Sequence, residues 1–243
     1  MFELALFVVS ILAGSVAAVA GFGIGSLLTP LLATQVPLKL AVAAVSIPHL
    51  LATALRFWLL RAHVDRKLLW SFGVFSALGG LLGALAHRWA SSPVLTIVFG
   101  AALLLAGGSE LTGAARKVEL RGVAAWVAGA ISGVLGGMVG NQGGIRSAAL
   151  LGFRATRVTF IATATAIALL VDAARMPVYL WLQGAALAQL AWPIGIACVG
   201  CVAGTFWGRR LLERIPERVF RKLVASLIVL LGVYMLAAGI RAA

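Results

Sequence analysis

The sequence predicts an all-α polytopic membrane protein, and three observations support this prediction. First, 62% of the 243 residues are hydrophobic and only 11% are charged, whereas soluble domains are about 45–50% apolar and about 25% charged. Second, two unusually long apolar segments each contain a glycine-rich break. Third, most lysines and arginines lie in short loops between the apolar segments. The expected surroundings of the chain are therefore the lipid bilayer.

Eight apolar segments follow one another along the chain, with short loops between them. Roughly 20 apolar residues span the hydrocarbon core of a bilayer. The first and the fifth segments are too long for a single crossing, and these are the two that contain the glycine-rich breaks. The segments cover Leu4–Thr34, Leu40–Leu60, Leu68–Ala86, Val94–Gly113, Gly122–Gly152, Val158–Leu182, Ala185–Trp207 and Leu223–Ile240.

The breaks cover Gly21–Pro30 and Gly140–Ser147. Within a membrane, non-helical backbone is tolerated only where it lines a cavity or is buried in protein. A helix that restarts after a break presents free N–H groups and a partial positive charge. Two such starts in one interior predict an anion site; the alternative is that the glycines only allow tight hairpins and the amides cap helix ends. The candidate binding residues in the breaks are Gly23, Gly25, Ser26, Thr29, Asn141, Gln142, Gly143, Gly144, Arg146 and Ser147.

The two halves of the chain carry the same features in the same order. An offset of 119 residues pairs Gly25 with Gly144 and Arg56 with Arg175, and an offset of 121 pairs Gly79 with Gly200. Each half contains one long broken segment followed by three ordinary ones. The sequence therefore predicts two transmembrane repeats, residues 1–113 and residues 122–243.

The basic loops predict how the segments cross the membrane. If all eight segments cross once, the two sides carry seven and ten lysines and arginines. If each broken segment is a re-entrant hairpin, the two sides carry fourteen and three, which satisfies the positive-inside rule. Each repeat then crosses three times, so the two repeats are inverted, as in many secondary transporters. Both termini are predicted to lie outside the cytoplasm.

Three arginines fall within or near apolar segments. Arg146 directly follows the second break, and Arg56 and Arg175 occupy equivalent positions in the two repeats. A buried arginine is costly and usually faces a pathway or a partner, and its planar guanidinium suits oxyanions. The alternative is that these side chains extend to the membrane interface, and for Arg56, five residues before Arg61, both remain open.

Two titratable residues are candidates for proton coupling. Asp172 is the only acid well inside an apolar segment, and it lies three residues before Arg175, the spacing of an intrahelical pair. It is either a counter-ion of Arg175 or Arg146, or a proton carrier. His49 follows Pro48 near the centre of its segment, and histidine titrates in the physiological range. The alternative for His49 is a packing role at a proline kink.

Other functional classes receive no support from the sequence. The formal charge of +13 comes from loop residues that set topology, so nucleic acid is not an expected partner. No Ser/His/Asp constellation or metal-ligand cluster can be assembled, because His63 and His87 are predicted in loops and the acids are scattered. We expect no enzyme activity, no cofactor and no metal. The pair Cys198 and Cys201 is interpreted as small packing residues within a helix.

The two glycine motifs, with the duplicated halves and the basic loops, resemble the TauE/SafE sulfite exporter family over the whole chain. The resemblance implies a transporter of the bacterial inner membrane that exports sulfite, sulfoacetate or related small organosulfonates. The residues that match the two family motifs are Gly23, Gly25 and Pro30 in the first half and Gly140, Gly143 and Gly144 in the second.

The chain departs from the family pattern in its second half. Ala149 stands where a proline would answer Pro30, and Arg146 stands where many members keep a small or apolar residue. The substrates of the family therefore carry over only as a class. The predicted function is a secondary transporter that exports a small anion such as sulfite or an organosulfonate. It is expected to work by alternating access, with His49 and Asp172 as the candidates for proton coupling. Alternatives are a passive anion channel, a permease for carboxylates or other small anions, and a membrane scaffold; monomer and homodimer both remain open.

Overall fold

The computed structural model describes residues 1–114, 122–140, 146, 156–212 and 217–243. In these ranges the chain is helical and forms no strand, as the sequence predicts. The longer helices are α1 (Phe2–Ala20), α2 (Ile24–Leu32), α3 (Leu38–Leu60), α4 (Arg66–His87), α5 (Ser92–Thr112), α6 (Val123–Val139), α7 (Arg157–Gln189), α8 (Ala191–Leu212) and α9 (Glu217–Ala242).

The helices form a multi-pass membrane protein. Six of the described helices are long and apolar enough to cross a bilayer, and α6 and α8 contribute shorter apolar stretches. Large apolar side chains such as Leu78, Leu82 and Leu230 point outward and are exposed, as expected for helices surrounded by lipid. The prediction of an all-α polytopic membrane protein is confirmed.

Glycines in the left-handed region end the first helix of each half. Gly21 has φ 81° and its N–H bonds to the carbonyl of Ala17 at the end of α1, and Gly140 has φ 72° and bonds in the same way to Gly136 at the end of α6. Gly23, with φ 132°, then leads into α2. Side chains disfavour these dihedrals, so the glycines fix where both helices stop. The helix ends predicted at the two breaks are confirmed.

One predicted boundary differs from the structure. The apolar pattern ends the sixth segment at Leu182 and starts the seventh at Ala185, but α7 continues to Gln189 and α8 begins at Ala191. Gly184, between the two predicted segments, lies within α7. A single glycine in a helix costs only about 1 kcal/mol relative to alanine, so the helix continues through it.

Small residues bring the helices into close contact. A methyl group at Gly79 or Gly83 of α4 would clash with a backbone carbonyl of α6, and one at Gly204 of α8 would clash with the carbonyl of Ile11 of α1. Glycine at Gly100 plays the same role between α5 and α9. The small-residue spacing in the sequence therefore marks helix–helix interfaces.

The pattern of helix pairs is unchanged when the two halves are exchanged. The exchange replaces α1 with α6, α3 with α7, α4 with α8 and α5 with α9. It converts the α1–α8 pair into the α6–α4 pair, and it leaves the α3–α7 and α5–α9 pairs as they are; all four are packed interfaces. The division into two repeats at residues 113 and 122 and their inverted relation stay predictions of the sequence.

Polar contacts define one end of the bundle, here called the Lys39 end. The Lys39 ammonium donates to the carbonyl of Arg88 (2.9 Å), which joins the start of α3 to the end of α4. His87 Nε2 lies 3.4 Å from Gln183 Nε2, so the last part of α7 is also there. Trp192, just after α7, donates to the carboxylate of Glu3 (2.9 Å). The segment from the start of α1 to the start of α3 therefore begins and ends at the Lys39 end.

The opposite end, here called the Asp65 end, holds the starts of α4, α6 and α7. The backbone N–H of Asp65 donates to Thr163 Oγ1 (2.9 Å), near the start of α7. Helix α6 runs parallel to α4, because Gly129 packs beside Phe72 and Gly137 beside Gly80. The chain from α6 to α7 thus begins and ends at the Asp65 end. These contacts put the starts of the two broken segments at opposite ends of the bundle. The re-entrant paths themselves stay predictions, since most of the second break lies outside the described residues.

Candidate functional site

The two breaks meet inside the bundle. Gly25, in the first turn of α2, packs so closely against the carbonyl oxygen of Gly140 that a methyl group there would clash. A β-carbon at position 140 would lie 3.7 Å from Arg175 Nη1 and 4.0 Å from Thr29 Oγ1. The structure therefore brings three residues of the predicted binding site together, Gly25, Thr29 and Arg175, at the end of α6.

We expect Gly25→Ala to lower the melting temperature of the protein and to remove any rise in melting temperature that a bound anion gives. The added methyl group would push against a backbone carbonyl, which cannot move without shifting the second break. Gly108→Ala is the matched control, because nothing lies within 4 Å of a β-carbon at that helical position and alanine favours a helix by about 0.5–1 kcal/mol over glycine. The measurement is the melting temperature of the purified variants. Equal melting temperatures for both variants would contradict this account of the contact.

Asp172 is the centre of a buried polar cluster. One carboxylate oxygen lies 2.6 Å from His49 Nδ1, and the other accepts from Arg175 Nε (3.0 Å) and lies 2.8 Å from Arg175 Nη2. The carboxylate is completely buried. The predicted intrahelical pair of Asp172 with Arg175 is confirmed. The contact with His49 joins the two proton-coupling candidates, although they lie 123 residues apart in the sequence.

Three side chains bind the last carbonyls of α6. Arg175 Nη1 donates to the carbonyl of Gly136 (2.6 Å), the Tyr179 hydroxyl donates to that of Gly137, and His87 Nδ1 lies 2.6 Å from that of Met138. The last carbonyls of a helix lack intrahelical partners and carry partial negative charge. A cation and two hydrogen-bond donors therefore stabilise the helix end beside the second break. With Asp172 and the Gly136 carbonyl as partners, each of the three guanidinium nitrogens of Arg175 has a polar contact.

His87 corrects the sequence analysis, which placed it in a loop. It is the last residue of α4 and only 1% exposed. Its position at the end of an apolar run suggested a loop, but the charged residue that actually faces solvent is the following Arg88. Tyr179 was also missed, and the available signal was its spacing of four residues after Arg175, which puts both on one face of α7.

Arg56 extends inward rather than to the interface. It is 3% exposed, its Nε donates to Thr165 Oγ1 on α7 (2.9 Å), and its Nη2 lies 3.5 Å from Thr53 Oγ1. Its third nitrogen, Nη1, is buried and has no hydrogen-bond partner among the described residues. Two hydroxyls therefore hold the side chain, and one of its donor groups has no partner in the described part of the chain.

Arg146 is the least satisfied of the buried cations. It is 2% exposed, and its Nε and Nη1 have no hydrogen-bond partner within the part of the chain that the structure describes. It lies close enough to Arg56, Arg175 and Asp172 for their charges to act on it. Thr29 Oγ1 is buried and unpartnered in the same way. The unpartnered buried side-chain atoms of the described residues thus all belong to this region.

The cluster has an excess of positive charge. Three buried arginines face one buried carboxylate, so two positive charges are uncompensated among the described residues even when His49 is neutral. An uncompensated charge in a protein interior costs free energy. Charged residues inside a membrane usually line the path of a substrate or an ion. A group of arginine and hydroxyl donors with a net positive charge suits an anion that binds through its oxygen atoms.

One family model matches nearly the whole chain. The family model described as sulfite exporter TauE/SafE matches residues 6–235. The chain belongs to the TauE/SafE family. The match includes both breaks and every residue of the buried cluster. No curated protein and no solved structure matches the chain.

As a member of the TauE/SafE family with several membrane-spanning helices, the protein is a membrane transporter. Among the predicted site residues of this TauE/SafE protein, Ser26 is buried in the first turn of α2 and Gly23 caps that helix. The described residues contain no group of three histidine, cysteine or acidic side chains that could hold a metal ion. Five predicted site residues lie outside the described residues: Asn141, Gln142, Gly143, Gly144 and Ser147.

Proposed function

We propose that the protein is a secondary transporter that exports a small oxyanion, such as sulfite or an organosulfonate, by alternating access. The observation that carries the proposal is the set of buried donors on Arg146, Arg56 and Thr29 that have no partner among the described residues. Thr29 lies where the two breaks meet, and Arg146 is close enough to Arg56 and Arg175 for their charges to act on it. A buried donor without a partner costs about 1–3 kcal/mol, and more when it is charged. An oxyanion that accepts from these groups would remove that cost.

The roles of the three arginines differ in this proposal. Arg146 and Arg56 hold the anion, because each has at least one buried nitrogen with no partner among the described residues. Arg175 is a positioning residue, because its donors are used by Asp172 and by the carbonyl of Gly136. By fixing the end of α6, Arg175 sets the place of the second break relative to Thr29 and to the first break.

Coupling to protons would use His49 and Asp172. The two share a buried contact beside Arg175, so a proton gained or lost there changes the charge next to the anion. Alternating access would follow from movement of one repeat against the other, with the breaks at the moving boundary. The charge asymmetry of the loops supports a topology with both termini outside the cytoplasm. The family resemblance implies the bacterial inner membrane, in which case the termini would lie in the periplasm.

Counterflow in proteoliposomes tests the transporter against a channel. Purified protein is reconstituted, the vesicles are loaded with unlabelled sulfite, and uptake of labelled sulfite is followed. A carrier should show faster labelled uptake when sulfite is present inside, because the loaded site returns more readily than the empty one. Vesicles without protein are the control. Sulfite flux without trans-stimulation would favour a passive anion channel, and no flux of sulfite, sulfoacetate or lactate would contradict the proposal.

A further inference from the structure

The two repeats differ at one position beside their equivalent arginines. The offset of 119 residues that pairs Arg56 with Arg175 also pairs Thr53 with Asp172. In the second repeat, a carboxylate three residues before the arginine forms a buried ion pair with it. In the first repeat, the same place holds a hydroxyl, and Thr53 Oγ1 lies 3.5 Å from Arg56 Nη2. One of two equivalent ion pairs is therefore missing.

The surroundings of Arg56 do not replace the missing carboxylate. Its other partner is the hydroxyl of Thr165 on α7, and its Nη1 is unpartnered among the described residues. Asp172 is the one buried acid in the described ranges, and both of its oxygens are engaged by His49 and Arg175. Arg56 and Arg146 consequently present two positive charges that no described side chain neutralises.

We propose that the site selects oxyanions with two negative charges over singly charged anions of the same shape, and that Arg56, left unpaired by Thr53, sets this preference. The inference rests on the proposed function and specifies its substrate class by charge. A dianion would neutralise both free arginines, whereas a monoanion would leave one buried cation uncompensated. Since charges in the interior are weakly screened, the difference should be at least about tenfold in affinity.

The test restores the missing carboxylate with Thr53→Asp. The new side chain would lie between Arg56 and His49, because Thr53 Oγ1 is 3.5 Å from His49 Nδ1 as well. Thr53→Asn is the control, because asparagine has nearly the same shape as aspartate but carries no charge. The probes are sulfite, kept at a pH where it is a dianion, and methanesulfinate, a pyramidal monoanion in which a methyl group replaces one oxygen. Affinities come from titrations of the melting temperature at that single pH.

Wild type and Thr53→Asn should bind sulfite at least about tenfold more tightly than methanesulfinate, and Thr53→Asp should lose that preference while still binding methanesulfinate. If Thr53→Asp does not fold, Arg56→Gln serves as the second variant. It removes the positive charge of Arg56 itself and should lose the preference too. Equal affinities for both probes in the wild type would overturn the inference and leave the proposed function standing. An unchanged preference in Thr53→Asp or in Arg56→Gln would do the same. If neither probe binds the wild type, the inference fails, because it requires sulfite to bind; the proposed function is then decided by the counterflow test with sulfoacetate.

Discussion

Arg146→Gln is expected to abolish the rise in melting temperature that sulfite gives the wild-type protein. Arg146 has two buried nitrogens without a partner among the described residues. A bound anion would therefore give Arg146 more new hydrogen bonds than it gives Arg56 or Thr29, each of which has one such atom. Losing a charged donor to a buried anion costs about 2–5 kcal/mol, which corresponds to a loss of affinity of at least roughly thirtyfold. At a sulfite concentration about three times the wild-type Kd, the variant would have only about a tenth of its sites occupied, so its shift should be close to zero.

The same variant should be no less stable than the wild type in the absence of anion. No described side chain pairs with the buried Arg146 cation there, and removing an uncompensated buried charge is often neutral or stabilising. Arg61→Ala is the control, since Arg61 is exposed and stacks on Trp58 (3.8 Å from the guanidinium carbon to the ring centre). A full sulfite shift in Arg146→Gln, or a large loss of stability without anion, would show that Arg146 has a structural role instead.

Asp172→Asn should cause the largest loss of stability of any single change in the cluster. The carboxylate binds His49 and Arg175, and without it the Arg175 cation remains buried beside two other arginines. Removing one partner of a buried ion pair costs about 3–5 kcal/mol. Thermal unfolding of the protein in detergent measures the loss, read as melting temperature and as unfolding rate because such unfolding is often irreversible.

A double-mutant cycle with Arg175→Gln separates the ion pair from other effects. The double variant should lose less stability than the sum of the two single losses, because the second change removes the cation that the first one left unpaired. Asp65→Asn is the matched control: Asp65 is exposed and caps α4 by accepting from the N–H of Leu68 (3.0 Å), and asparagine caps equally well. Additive losses would mean that the Asp172–Arg175 contact contributes nothing.

Much of the fold follows from local sequence signals. Length and hydropathy give the membrane helices, and glycine gives the two helix ends because only glycine readily takes the positive φ found at Gly21, Gly23 and Gly140. Spacing gives the pair of Asp172 and Arg175, since residues three apart share a helix face. In each case the interacting groups belong to one helix or one turn, so their sequence separation carries the information.

The contacts that assemble the site were beyond such reasoning. His49 meets Asp172 across 123 residues, and His87 meets the carbonyl of Met138 across 51. Which helices pack together and at what register decides these contacts, and no period within one segment encodes it. The duplication helps in part, because it identified Arg56 and Arg175 as equivalents. Only the structure shows that neighbours engage Arg175, whereas one nitrogen of Arg56 has no partner among the described residues.

The most direct test of the account is to locate an anion in the protein. A crystal structure with selenite, a heavier analogue of sulfite, gives an anomalous signal at the selenium atom. The account predicts selenium in the interior, with its oxygens within hydrogen-bond distance of Arg146 and Arg56 and close to Thr29, where these residues now have unpartnered atoms. Selenium found only at the basic loops, with the three residues unchanged and without an anion between them, would contradict the central claim.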